Sequence, residues 1–161
     1  MTPVCPSVVG SLVEIWRALH PGLRVTIASS DMNYLRRMVL AADDHLVAGL
    51  LAEKIQITQA QSRPYADCDV AKIGSVVRYS INGRRLEGRL MHGQRIKGNS
   101  VGIGSRYGSA LIGSHAGQSF MWPSQNGRLI EIRVDGVAQR SIDLTPKVVL
   151  CREVTNQCGF G

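Results

Sequence analysis

The sequence of 161 residues is poor in aromatic side chains, which make up 5% of the chain. No apolar run in it approaches the roughly 20 residues of a membrane-spanning helix. Residues 8–19 are apolar but include Glu14 and Arg17, which argues against a signal peptide. We therefore expect a cytoplasmic protein rather than a membrane or secreted one. With 44% apolar residues and 17 glycines, one compact domain with an aliphatic core and many turns is expected.

Residues that could bind metals or act as nucleophiles are scattered along the chain. The four cysteines form no C-x-x-C pair, and zinc sites and disulfide frameworks space cysteines differently. Ser114 and His115 lie side by side, but no acidic residue is placed to orient the histidine, which we expect on the surface. The sequence therefore predicts no catalytic residue, no metal and no cofactor, and a protein that is not an enzyme. The cysteines are Cys5, Cys68, Cys151 and Cys158.

Positive charge is concentrated in the second part of the chain. The formal net charge is +7 and the isoelectric point is near 9.7. Residues 24–60 hold four basic and four acidic groups, whereas residues 61–161 hold fourteen basic and seven acidic groups. Such a region attracts polyanions or an acidic protein surface. The alternative interpretation is a solvated surface that keeps the protein soluble.

Residues 24–60 are predicted to form a short helical hairpin. Apolar residues recur at helical spacing over 32–42 and again over 46–55, with Asp43-Asp44 between the two sets. Ser29-Ser30-Asp31 offers capping side chains for the first helix. Each helix would be only about 16 Å long, so the pair must pack on the rest of the protein. Residues 1–23 are interpreted as an N-terminal extension.

Beyond a predicted linker, residues 61–74, the apolar period changes from helical spacing to two. Val76 to Ile81 predicts a strand, Asn82-Gly83 a hairpin turn, and the following residues a return strand. A short helix is expected to be capped by Ser105 and to end at Gly113. Other strands are predicted near residue 101 and over 118–122 and 128–137. Residues 75–140 thus form an antiparallel sheet with one short covering helix, the fold class is α+β, and 141–161 form a C-terminal tail.

Three segments of the sheet region carry a resemblance to a known family. They are Val101-Gly-Ile-Gly-Ser-Arg-Tyr-Gly-Ser-Ala-Leu-Ile-Gly113, Ala116-Gly-Gln-Ser-Phe-Met-Trp122 and Asn126-Gly-Arg128. Their order and spacing resemble the C-terminal domain of the GreA/GreB transcription elongation factors, and more closely the regulator of nucleoside diphosphate kinase (Rnk) family. The resemblance extends over residues 24–140 and implies an FKBP-like sheet domain preceded by a helical hairpin.

The resemblance also implies a partner, RNA polymerase, with the sheet domain docked on the rim of the secondary channel and the hairpin pointing into the pore. In the long-armed members, an acidic tip helps hold a magnesium ion for transcript cleavage, since carboxylates are hard oxygen ligands. Asp43 and Asp44 lie at the corresponding turn. Helices this short cannot carry them to the metal, so we assign them no catalytic role. The alternative is that they solvate the turn and cap the next helix.

The chain departs from the family pattern at two places, where Arg106 replaces the proline of S-P-x-G and Gln118 replaces the aspartate of G-D. The predicted function is an RNA polymerase-binding transcription regulator that docks at the secondary channel and competes with Gre-type factors without cleaving transcripts. The alternative is a basic module that binds DNA or RNA directly. The candidate polymerase-contact residues are Asp43, Asp44, Ser105, Arg106, Tyr107 and Gly108.

Overall fold

The computed structural model describes residues 6–61, 69–124, 126 and 128–139. Three helices precede the sheet and a fourth interrupts it. The helices are α1 (Pro6–Leu19), α2 (Ser29–Ala41), α3 (His45–Ala60) and α4 (Arg106–Leu111). The strands are β1 (Val76–Ile81), β2 (Arg84–Met91), β3 (Ile96–Lys97), β4 (Ser100–Gly102), β5 (Ser119–Pro123) and β6 (Leu129–Ala138). None of the described helices has both the length and the apolar character needed to cross a bilayer.

The six strands form one sheet in the order β3-β4-β2-β1-β6-β5, and all neighbours are antiparallel except β2 and β4. Ile81 opposes Arg84, and the two residues between them have positive φ, 48° at Asn82 and 85° at Gly83. Glycine and asparagine tolerate this conformation, which explains the tight turn. The predicted α+β fold class and the β1–β2 hairpin are confirmed, whereas β3 was not predicted.

Helices and sheet share one hydrophobic core. Along β6 the side chains alternate between exposed and buried, and Phe120 and Trp122 of β5 are buried as predicted. The same core includes Trp16 of α1, Leu35 of α2 and Leu50 of α3. The helical hairpin is therefore part of this core, because its apolar stripe packs on the inner face of the sheet.

Helix α2 begins earlier than the sequence predicts. Its first residue is Ser29, and its N-cap is Ala28, whose side chain makes no capping hydrogen bond. The prediction that Ser29-Ser30-Asp31 caps this helix is therefore wrong. Asp31 is instead buried in the first turn, where its Oδ2 accepts a hydrogen bond from the backbone N–H of Ile73 at 3.0 Å. This bond fastens the start of α2 to the segment that enters β1.

Residues 6–19 of the predicted extension form helix α1, which covers the outer edge of β5. The indole Nε1 of Trp16 donates to the carbonyl of Met121 at 3.0 Å, and the backbone N–H of Met121 donates to Nε2 of His20 at 3.0 Å. The other ring nitrogen of His20 lies 2.8 Å from the carbonyl of Trp16. The accepting role of Nε2 therefore places the proton of the neutral ring on Nδ1.

The end of the predicted linker is part of the packed protein. Val70 and Ala71 are buried, and Val70 forms a β-bridge with His115. Residues 58–60, at the end of the predicted hairpin, lie in α3. The rest of the linker over 62–68, the four cysteines and the predicted tail 141–161 lie outside the described residues.

Candidate functional site

The turn between α2 and α3 is defined by the contacts of Asp44. Its Oδ1 accepts hydrogen bonds from the backbone N–H groups of Leu46 at 3.0 Å and Val47 at 3.3 Å, so Asp44 is the N-cap of α3. Its Oδ2 accepts a hydrogen bond from Nε of Arg106 at 2.5 Å. The capping role was one of the two predicted alternatives and is confirmed. Both carboxylate oxygens are thus engaged inside the protein.

Arg106 holds this turn from the first position of α4. Its side chain is only 11% exposed, against 32% for Asp44, and its Nη1 lies 3.4 Å from the carbonyl of Pro123 on β5. Arg106 therefore connects the hairpin turn, helix α4 and strand β5. Its ion pair with Asp44 is partly shielded from water and has an additional hydrogen bond, so it is stronger than an ion pair in water. The neighbouring Asp43 is exposed.

Ser105 and Gly108 have structural roles. The hydroxyl of Ser105 accepts from the N–H of Gly108 at 3.1 Å and donates to the carbonyl of Gly102 at 2.6 Å, which confirms the predicted cap of α4. A Cβ atom at position 108 would lie 1.9 Å from that same carbonyl, so only glycine fits there. Both residues are buried, and neither presents a side chain to a partner.

Tyr107 is half-buried and packs against the core. Burial, with a smaller contribution from the nearby Tyr107, raises the pKa of Tyr79 above its ordinary value. Of the six candidate contact residues, the structure therefore leaves four with some surface: Asp43, Asp44, Arg106 and Tyr107. We call these four residues the turn surface.

The hairpin lies along the sheet and does not project from it. The hydroxyl of Tyr34 in α2 accepts from the N–H of Gly93 at 2.8 Å, and Nε2 of Gln94 donates to the carbonyl of Ala41 at 3.3 Å. Together with the Asp44–Arg106 pair, these bonds hold α2 and the turn against the loops that follow β2 and β4. The hairpin therefore packs on the sheet domain, which agrees with the expectation that helices this short need support from the rest of the protein.

Lys54 fixes α3 to the end of α4. Its ammonium donates to the carbonyls of Ala110 at 2.6 Å and Ile112 at 2.7 Å, and lies 5.2 Å from the ring centre of Trp122. The side chain is 1% exposed, and burial lowers its pKa to about 7. The two carbonyls and the ring face favour the charged form and so oppose the effect of burial on the pKa.

His115 was expected on the surface but is half-buried. Its Nε2 lies 3.0 Å from the hydroxyl oxygen of Thr26. Burial, and next the positive charge of Arg24, lowers the pKa of His115 below its usual value, against the opposite effect of Asp69. Within the described part of the chain, no three His, Cys, Asp or Glu side chains come together to hold a metal.

Comparisons with known proteins relate this fold to transcription factors. No protein-family model and no curated protein matches the chain. A prokaryotic transcription elongation factor GreA/GreB from Nitrosomonas europaea is similar, with a TM-score of 0.52 and 21% identity over 71% of this chain and 98% of that one. The chain therefore has a GreA/GreB-like fold.

Two further solved structures are similar at lower scores. GreA factor homolog 1 (Gfh1) of Thermus thermophilus has a TM-score of 0.38 and 16% identity, over 83% of this chain and 94% of that one. Gfh1 of Thermus aquaticus has a TM-score of 0.38 and 17% identity, over 81% and 92% of the two chains.

Three structurally decisive contacts, those of Lys54, Asp31 and the Asp44–Arg106 pair, were missed from the sequence. Lys54 interrupts the apolar stripe of α3, one turn after Leu50 and Leu51, and a charged residue at that spacing is the signal that could have identified it. The bond between Asp31 and Ile73 and the pair of Asp44 with Arg106 join residues far apart in sequence. No local pattern predicts such pairs.

Proposed function

We propose that this chain is an Rnk-like transcription regulator that binds RNA polymerase at the rim of the secondary channel and competes there with Gre-type factors without promoting transcript cleavage. The similarity to a structure described as a transcription elongation factor supports the choice of partner. The resemblance of residues 101–128 to the family pattern supports it independently.

The contacts of Asp44 support the absence of cleavage activity. A carboxylate that assists cleavage must reach the metal in the polymerase and coordinate it within bonding distance. Here both oxygens of Asp44 are engaged, one in the cap of α3 and the other by Arg106. The hairpin also lies along the sheet over its length, so the turn has no arm that would carry Asp43 into a channel.

The turn surface supports a rim contact. It combines the exposed carboxylate of Asp43 with the partly exposed side chains of Arg106 and Tyr107. Arginine and tyrosine are enriched among the residues that dominate protein–protein binding energy. The arrangement is also rigid, because Arg106 is held by Asp44, and a preorganised contact loses little conformational entropy on binding.

The test is retention of the tagged chain by core RNA polymerase at low and at moderate salt. We expect binding at both, displacement of a Gre factor, and no shortening of the transcript in a stalled elongation complex. Asp43→Lys should weaken retention, whereas Glu87→Lys makes the same charge change at an exposed position on β2 and should not. Failure to bind core polymerase, or transcript cleavage by the chain, would overturn the proposal. Equal effects of the two variants would show that the turn surface is not the contact.

A further inference from the structure

One face of the sheet is left uncovered by the helices and carries basic side chains in register. Ser80 of β1 lies directly opposite Arg85 on β2 and Arg133 on β6. Residues directly opposite each other in antiparallel strands point to the same face, so these two arginines flank one serine. Alternate side chains along a strand share a face. This adds Arg78, two residues before Ser80, and Arg89, four residues after Arg85.

The basic face extends to the edge strand β3. Arg89 is in register with Ser100 of β4, and Ser100 is opposite Lys97 of β3. We call the resulting set the outer basic face. Its members are Arg78, Arg85, Arg89, Lys97 and Arg133, all exposed except the half-buried Arg89.

Acidic residues on or beside this face are fewer and do not neutralise it. Glu87 is opposite Arg78, and Glu131 lies two residues before Arg133. Asp135 lies 3.7 Å from Arg133 in an exposed ion pair, which contributes little in water. Residues 69–139 contain ten basic and four acidic groups, so most of the excess charge of the chain belongs to this domain.

The dimensions of the face suit a charged polymer. Lys97 and Arg133 are separated by four strand spacings, roughly 19 Å at the usual distance between strands. Duplex DNA carries one phosphate about every 3.4 Å on each strand, so the face spans about five phosphates. Small residues, Ser80, Ser100 and Gly136, lie beside the basic side chains on three of the strands, and Arg78, Arg85 and Arg133 are exposed.

We propose that the outer basic face binds the phosphate backbone of a nucleic acid without reading its sequence. Among the described residues, the aromatic side chains of β1 and β5 (Tyr79, Phe120 and Trp122) are buried in the core on the opposite face, so no base-stacking platform is present here. Exposed large apolar side chains occupy only the ends of the described face, at Met91 and Leu129, so its centre lacks an anchor for a protein partner. Phosphate contacts position a protein on nucleic acid but carry no sequence information.

The test measures binding of the full chain to a short labelled DNA duplex by fluorescence anisotropy over a range of salt. The variant Arg85→Gln/Arg133→Gln removes two charges from the outer basic face. The control Arg36→Gln/Arg37→Gln removes two charges from exposed positions of α2. We expect the first variant to lower the slope of log K against log salt by about 2, because each lost phosphate contact removes about 0.9. The control should bind as the unaltered chain does.

Two outcomes would overturn the proposal. An equal loss in both double variants would mean that net charge alone attracts the DNA. Competition by polyglutamate as effective as that by unlabelled duplex would instead assign the face to an acidic protein. Circular dichroism of each variant checks that it is folded. The two proposals are tested separately, because this experiment uses bare DNA and the other uses core polymerase. A chain that fails to bind DNA can still bind polymerase, and a chain that fails to bind polymerase can still bind DNA.

Discussion

The carboxylate of Asp44 joins two elements of the protein: one oxygen caps α3, and the other accepts from Nε of Arg106, the first residue of α4, at 2.5 Å. Nη1 of Arg106 also lies 3.4 Å from the carbonyl of Pro123 on β5. Arg106 gives the turn a fixed place on the sheet domain.

Replacing Asp44 should destabilise the protein far more than replacing Asp43. Asp44→Ala removes the N-cap, at a cost of about 1 kcal/mol, and leaves the mostly buried Arg106 without its charged partner, at a further cost of about 1–3 kcal/mol. Asp43→Ala alters an exposed side chain and should stay within about 0.5 kcal/mol. Urea unfolding of the three proteins measures the difference. Equal midpoints for the two variants would contradict the role given to Asp44.

The buried Lys54 should make stability increase with pH above neutrality. Its pKa is lowered to about 7 in the folded chain, whereas an unfolded lysine titrates near 10.4. Between these values the unfolded state binds more protons, so the free energy of unfolding rises with pH, by up to about 5 kcal/mol over the whole window.

The isosteric variant Lys54→Met provides the control for that dependence. Methionine keeps the length and packing of the side chain but cannot titrate, so the rise in stability between pH 7 and about 10 should be much smaller in the variant. Urea unfolding at several pH values gives both curves. If they run parallel, Lys54 is not the group responsible.

Two glycine-to-alanine variants should have opposite effects on thermal stability. Gly108→Ala places a methyl group 1.9 Å from a backbone oxygen, which cannot move aside, and should cost at least about 3 kcal/mol or prevent folding. Gly10→Ala lies within α1 with nothing within 4 Å and should stabilise by about 0.5–1 kcal/mol. Thermal unfolding followed by circular dichroism compares them. A tolerated alanine at position 108 would refute the close approach.

His115 should contribute to loss of stability on acidification. Its pKa is lowered in the folded chain by burial and by Arg24, so below about 6.5 the unfolded state takes up a proton that the folded state does not. The free energy of unfolding therefore falls as the pH drops from about 6.5 toward the folded pKa. His115→Gln should show a shallower fall in urea unfolding between neutral and acidic pH. An unchanged slope would assign the effect to other groups.

Much of the sheet could be predicted from local sequence because its signals are local. Strands β1 and β2 follow the two-residue alternation around Asn82-Gly83, and α4 is marked by Ser105 and Gly113 at its two ends. The apolar stripes of α2 and α3 likewise follow helical spacing. These features depend on residues within a few positions of one another, so the pattern and the structure agree.

The position of the hairpin could not be predicted, since it depends on contacts between distant segments. Nothing near Asp44 indicates that its partner lies 62 positions later, or that Tyr34 reaches Gly93. Helix α1 was missed for a related reason. Its inward residues Val9, Val13 and Trp16 recur at helical spacing, but the partners that hold the helix in place, such as Met121 and Glu53, lie far away in sequence.

The cover that α1 places over β5 has a consequence for self-association. A sheet edge with free N–H and C=O groups is a template for strand addition by another molecule. Both such groups of Met121 are occupied by Trp16 and His20, and the carbonyl of Pro123 is approached by Arg106. A chain deprived of its first helix would expose these two groups of Met121, so the N-terminal helix blocks strand addition at this edge of the sheet.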